Sequence, residues 1–127
     1  SRSFIFSTAL SPADIGAALA ALHILESDTS VLGRLQENVN YMALQLIAMG
    51  IEATNETPIF PILIGSNEDT LAVSDYLYNA GIIGTAIRPP TVPVGERRIR
   101  LTVTAAHNKE QIDYVCRTLD KAIKELN

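Results

Sequence analysis

The chain has 127 residues, 47% of them hydrophobic, and a formal net charge of −4, which suits one compact core; the acidic balance, with arginines gathered only at Arg97, Arg98 and Arg100, excludes a nucleic-acid face. Cys116 is the only cysteine, so a disulfide framework or a cysteine metal site within this chain is excluded, and His23 and His107 lack the spacing of a zinc pair. No apolar run approaches the roughly 20 residues that cross a bilayer and no signal-peptide pattern opens the chain, so no membrane partner and a cytoplasmic location are expected.

The first residues, Ser1-Arg2-Ser3-Phe4-Ile5-Phe6, form an apolar strand-like run with no methionine and no turn ahead of it, which reads as a chain entered partway along a longer protein. Ser11-Pro12-Ala13-Asp14 is a helix start, with Ser11 as N-cap, Pro12 at the first helical position and Asp14 closing a capping box on the positive helix end. Ile15, Ala18, Leu19, Leu22 and Leu25 then recur at three- and four-residue spacing. The small residues Ala17, Ala20 and Ala21 beside them thin the surface, so this face is expected to dock closely on a neighbour. The pattern breaks around Glu26 to Ser30, where Asp28 offers a second cap. Leu32, Leu35, Val39, Met42 and Leu46 carry a second helix to Gly50, a residue suited to the left-handed position after a helix end. The two helices could equally be one bent rod.

Ile59-Phe60-Pro61-Ile62-Leu63-Ile64 is a short apolar run whose Pro61 has no N–H for a ladder, so it is expected as an edge strand. Ser66 with Asp69 caps the next helix, which Leu71, Val73, Leu77 and Ala80 carry to Gly81. Ile82 to Ile87 reads as strand two. Strand three alternates, with Ile99, Leu101 and Val103 on one face and Arg98, Arg100, Thr102 and Thr104 on the other. Asn108 with Gln111 caps a last helix striped by Ile112, Val115, Cys116, Leu119, Ile123 and Leu126. The expected fold is α/β, in the α+β sense: two N-terminal helices, then β-α-β-β-α. A right-handed crossover between strands one and two leaves room for strand three between them, antiparallel to both, with helices on one face of the sheet.

The chemistry centres on Arg88-Pro89-Pro90-Thr91-Val92-Pro93. Three prolines within five positions hold this segment extended and stiff, and Arg88 stands at the end of strand two just ahead of it. A guanidinium so mounted can grip a carboxylate or a phosphate with two parallel bonds; it can also be an exposed arginine beside an ordinary loop. No G-x-G-x-x-G, P-loop, nucleophile elbow or H-E-x-x-H occurs. His107 reads as a local hydrogen-bonding residue, His23 as structural or interfacial, and Cys116 as a core thiol. Ser7 and Thr8, just before the first helix cap, could meet an anion at that helix start, as residues at many helix starts could.

Three blocks carry a family resemblance: Phe4-Ile5-Phe6-Ser7-Thr8-Ala9-Leu10-Ser11-Pro12, then Thr85 through Pro93, then Arg98-Ile99-Arg100-Leu101-Thr102 through Thr104-Ala105-Ala106-His107. In order and spacing they resemble the α-oxoamine synthases, pyridoxal-phosphate enzymes that condense an amino acid with an acyl thioester and release CO₂. The likeness is strongest to the branch that uses alanine and a pimeloyl thioester. It runs over essentially the whole chain, and it departs at Ser11, where the family commonly has proline.

The resemblance implies a C-terminal third of a fold-type-I pyridoxal-phosphate transferase, with 1–50 as the end of the large domain and connecting helices and 51–127 as the small domain. It implies that the missing N-terminal large domain holds the Schiff-base lysine, so no catalytic residue lies in this chain and the piece alone is inactive; Lys109, Lys121 and Lys124 match no family lysine. Arg88 matches the arginine that binds the amino-acid carboxylate, and Thr91 lies near the same site to position the substrate or the loop. Thr8, with Ser7 beside it, matches a residue that reaches the pyridoxal 5'-phosphate of the opposite subunit in a homodimer. A different reading is a free-standing module that binds a small acid through Arg88 and Ser66 or Asn67. An RNA-binding sheet lacks the aromatic pairs and the charge.

Overall fold

Helix caps and strand alternation set the elements, and the computed structural model describes residues 10–87, 89, 91–93 and 97–125. The chain divides into two compact units, residues 1–32 and 33–127. In the first, helix α1 (Pro12–Ser27) starts where Ser11 Oγ accepts the Ala13 N–H at 3.2 Å. None of its 16 residues is buried, and Ile15, Leu19 and Leu22 are each about half exposed. The stripe expected to dock is therefore formed and uncovered. The helix closes at Asp28, whose N–H donates to the Ile24 carbonyl and whose Oδ1 accepts the Ser30 N–H. Two helices result, as the second cap implied, and not a continuous rod.

Helix α2 (Ser30–Ala48) starts at the end of the first unit and belongs from residue 33 on to the second, which also holds β1 (Ile59–Gly65), α3 (Asn67–Asn79), β2 (Thr85–Ile87), β3 (Arg97–Thr102) and α4 (Lys109–Glu125). Helices α2 and α3 end in the same way. Gly50 and Gly81 each take φ +78°, and the next N–H reaches back to the third residue from the helix end, Ile51 to Leu46 at 3.0 Å and Ile82 to Leu77 at 2.8 Å. An L side chain is strained at that φ, which is why glycine stands at both positions. Asn108 and Gln111 form the expected reciprocal box at the start of α4, with bonds of 2.8 and 3.0 Å.

The sheet runs β1-β3-β2, with β3 antiparallel to both neighbours and Pro61 on the β1 edge, as read from the sequence. Strand two is shorter than expected. Ile82 is spent on closing α3 and sits in the core, and Gly84 packs too closely for a side chain, so pairing begins only at Thr85.

Phe60, Ile62, Ile99 and Leu101 point from the sheet into the core, where they meet Val39, Met42 and Leu46 of α2, Val73 and Leu77 of α3, and Ile112, Cys116 and Leu119 of α4. Each large side chain so buried is worth about 1.5–3 kcal/mol of apolar transfer. The core thus draws in α2, ahead of residue 51. Helices cover one face only. On the other face Ile59, Pro61 and Leu63 are exposed beside Thr102, Arg100 and Arg98, their partners in register. No single helix among the described residues is long and apolar enough to cross a membrane.

Candidate functional site

Because β3 runs against both neighbours, the C-terminal ends of β1 and β2 and the start of β3 meet at one end of the sheet. Gly65 pairs with Arg97 there, and Leu63 and Ile87 flank Arg98. Strand β2 stops at Ile87, so the proline segment connects β2 to β3 across this end. A stiff connection at a strand end is where a fixed scaffold can hold a binding side chain.

Of the residues singled out in the sequence, Arg88, Ser7 and Thr8 lie outside the described residues. Thr91 is described: it is exposed, in a bend of the connection. The sheet end also brings in a residue not singled out as a site. Arg97 shares the parity of Ile99 and Leu101, which places it on the helix-covered side of β3, while Arg98 and Arg100 share the opposite parity. Its Nε is buried and has no acceptor. The alternation that sorted Ile99 from Arg98 was the available signal for this placement, since it sets Arg97 among the inward residues.

The other titratable groups have local work. His107 Nδ1 accepts the Thr104 N–H at 3.0 Å, and the buried Asn38 amide donates to the Thr104 and His107 carbonyls at 3.0 and 2.7 Å, which pins the turn before α4. Tyr41 Oη donates to Asp113 Oδ1 at 2.7 Å; this bond, then burial, holds the phenol above its ordinary pKa. Burial, with Asp113 second, pushes the Cys116 thiol up to about 11, an unreactive state for a core cysteine. His23 is exposed on α1.

The three lysines all belong to α4, where Lys109 Nζ lies 5.5 Å from the centre of the Tyr41 ring and Lys124 pairs with Asp120 at 2.6 Å. A cleft of about 600 Å³ lined by Ile82, Ile83, Val103, His107 and Ile112 opens at the opposite end of the sheet, before β2 and after β3. No group of three or more metal-ligating side chains occurs among the described residues.

The model of aminotransferase class I and II matches residues 1–119. The chain belongs to the aminotransferase class I and II family. A relative from Lysinibacillus sphaericus, an 8-amino-7-oxononanoate synthase, is 40% identical over 126 residues, which cover 98% of this chain and 32% of that protein. The resemblance to the α-oxoamine synthases is thereby borne out. In solved structures the chain superimposes on an 8-amino-7-oxononanoate synthase from Francisella tularensis with a TM-score of 0.80 and 26% identity, over 98% of this chain and 37% of that one. It has the same fold as part of a serine palmitoyltransferase from S. paucimobilis, with a TM-score of 0.87, 23% identity and coverage of 95% and 31%. The chain spans about a third of the length of the curated relatives it matches. An aminotransferase class I and II fold accounts for the three-stranded sheet with helices on one face.

Proposed function

We infer that this chain is one part of a pyridoxal-phosphate-dependent α-oxoamine synthase that joins L-alanine to a pimeloyl thioester with loss of CO₂, forming 8-amino-7-oxononanoate for biotin synthesis. The observation that carries this reading is the match to an enzyme of that name across 98% of the chain, including the whole Arg-Pro-Pro-Thr-Val-Pro segment at the end of β2.

Pyridoxal phosphate supplies the electron sink for this chemistry when bound. The chain's own residues bind and orient. Arg88 would grip the substrate carboxylate with two parallel bonds, which would fix rotation about the Cα–N bond and so select which Cα bond is broken. The proline segment keeps that guanidinium from wandering, and Thr91 supports the loop or the substrate. Ser7 and Thr8 serve the cofactor phosphate of the opposite subunit in a homodimer. The lysines of α4 match no Schiff-base lysine of the α-oxoamine synthases, so the cofactor anchor belongs to the rest of the longer protein, and this part alone is inactive. The uncovered apolar stripe of α1 fits a helix whose partner is that remainder, and it weighs against a free-standing acid-binding module.

A second reading, an α-oxoamine synthase that uses serine or glycine, is favoured by the fold shared with serine palmitoyltransferase. Product analysis separates the two. The longer protein given pyridoxal phosphate, pimeloyl thioester and each amino acid should release CO₂ and 8-amino-7-oxononanoate with alanine; turnover only with serine or glycine would move the assignment to the second reading.

A further inference from the structure

We propose that the uncovered face of the sheet seats an amphipathic helix from the rest of the longer protein, one that brings both large apolar side chains and carboxylates to the contact. Strand β1 carries the first part of the argument. An antiparallel sheet with one face in water alternates apolar inward and polar outward residues, whereas strands covered on both faces read as continuous apolar runs. β3 alternates. β1 is apolar at every position from Ile59 to Ile64, and its outward residues Ile59 and Leu63 are left 47% and 64% exposed. Such a face is built for a partner.

The register gives the chemistry of that partner. Leu63, Arg98 and Ile87 form one row across the three strands, and Pro61, Arg100 and Thr85 form the next. Arg100 is exposed, and no carboxylate stands at an outward position of any strand, although the chain as a whole carries a charge of −4. A cover therefore meets apolar surface over β1 and a guanidinium over β3, where a carboxylate makes a charge-assisted bond. Three strands about 4.8 Å apart make a face about 10 Å wide, which is the width of one helix.

The same charges argue against a second copy seated through this face, since a symmetric contact would gather the arginines of both copies in one layer with no acid between them. The rest of the longer protein is the better occupant. The chain spans about a third of its curated relatives, and a segment tied to the same polypeptide meets the face at high effective concentration. The inference needs only that membership of a longer protein, and not the substrates assigned above.

The test uses the full-length protein carrying Arg100→Lys and a zero-length carbodiimide, which joins an amine to a carboxylate in direct contact. Peptide mass mapping should find residue 100 joined to an aspartate or glutamate outside these 127 residues, in a stretch whose apolar residues recur at three- and four-residue spacing. Independently, Leu63→Cys, or Thr102→Cys should the first variant fail to fold, should react with a maleimide at least about tenfold more slowly in the native protein than in urea. Equal labelling in the native and unfolded protein overturns the cover. Protection with no cross-link from residue 100, with one only to acids within these 127 residues, or with one to a stretch lacking that spacing overturns the acidic helix.

Discussion

Ser74 Oγ donates to the Gly84 carbonyl at 3.0 Å, tying α3 to the residue that leads into β2. Gly84 is also the tightest glycine among the described residues. A Cβ there would stand 2.9 Å from Ile99 Cγ2 and 3.0 Å from Leu77 Cδ1, both on fully buried side chains. Gly84→Ala should therefore cost about 1–3 kcal/mol, since a packed core yields to an added methyl only by distorting. The urea midpoint of the variant should fall; an unchanged midpoint would mean that Ile99 and Leu77 can move aside freely.

Asn38 is the polar link between α2 and the turn before α4. Its single amide nitrogen serves two backbone carbonyls, those of Thr104 and His107. Asn38→Leu keeps the volume and strips both bonds, leaving the Thr104 carbonyl with only the His107 N–H at 3.3 Å and the His107 carbonyl without the Asn38 donor, at a cost of about 1–3 kcal/mol. Asn38→Asp should be at least as damaging, because it turns a carboxylate oxygen toward those carbonyls. Chemical denaturation of the three proteins checks the ranking.

Cys116 should behave as a sealed thiol. Ellman's reagent at pH 8 should react with it only after denaturant is added. The thiol's pKa is raised from 9.0 to about 11, so the stabilisation linked to its proton is complete below about pH 9 and is lost as the pH climbs through about 11. The fall in urea midpoint over that window should be smaller in Cys116→Ala than in wild type. Equal falls would assign the alkaline loss to other groups.

Most of the fold was legible because its signals are local. The glycines after α2 and α3, the Asn108 and Gln111 box, the cap at Ser66 and the alternation through β3 each act within a few residues, and Pro61 placed β1 on an edge. Strand β2 was overextended because the run from Ile82 looks uniformly apolar, although Ile82 is claimed by a helix end and Gly84 by close packing with Ile99. Those claims are tertiary and leave no periodic trace. The site was legible in part: the position of Arg88 ahead of three prolines marks a mounted cation, but its substrate came only from resemblance. Arg97 was read only as one of three clustered arginines too few for a nucleic-acid face, although the β3 alternation already set it among the inward residues, and its unanswered Nε became visible only in the structure.

The central claim is that Arg88 is the carboxylate clamp of an α-oxoamine synthase, and its most direct test is alanine binding to the full-length enzyme carrying Arg88→Ala, followed through the cofactor absorbance. The account predicts a cofactor spectrum like wild type and an alanine affinity weaker by at least about a hundredfold, the cost of losing a bidentate charged contact. Wild-type alanine affinity in that variant would contradict it.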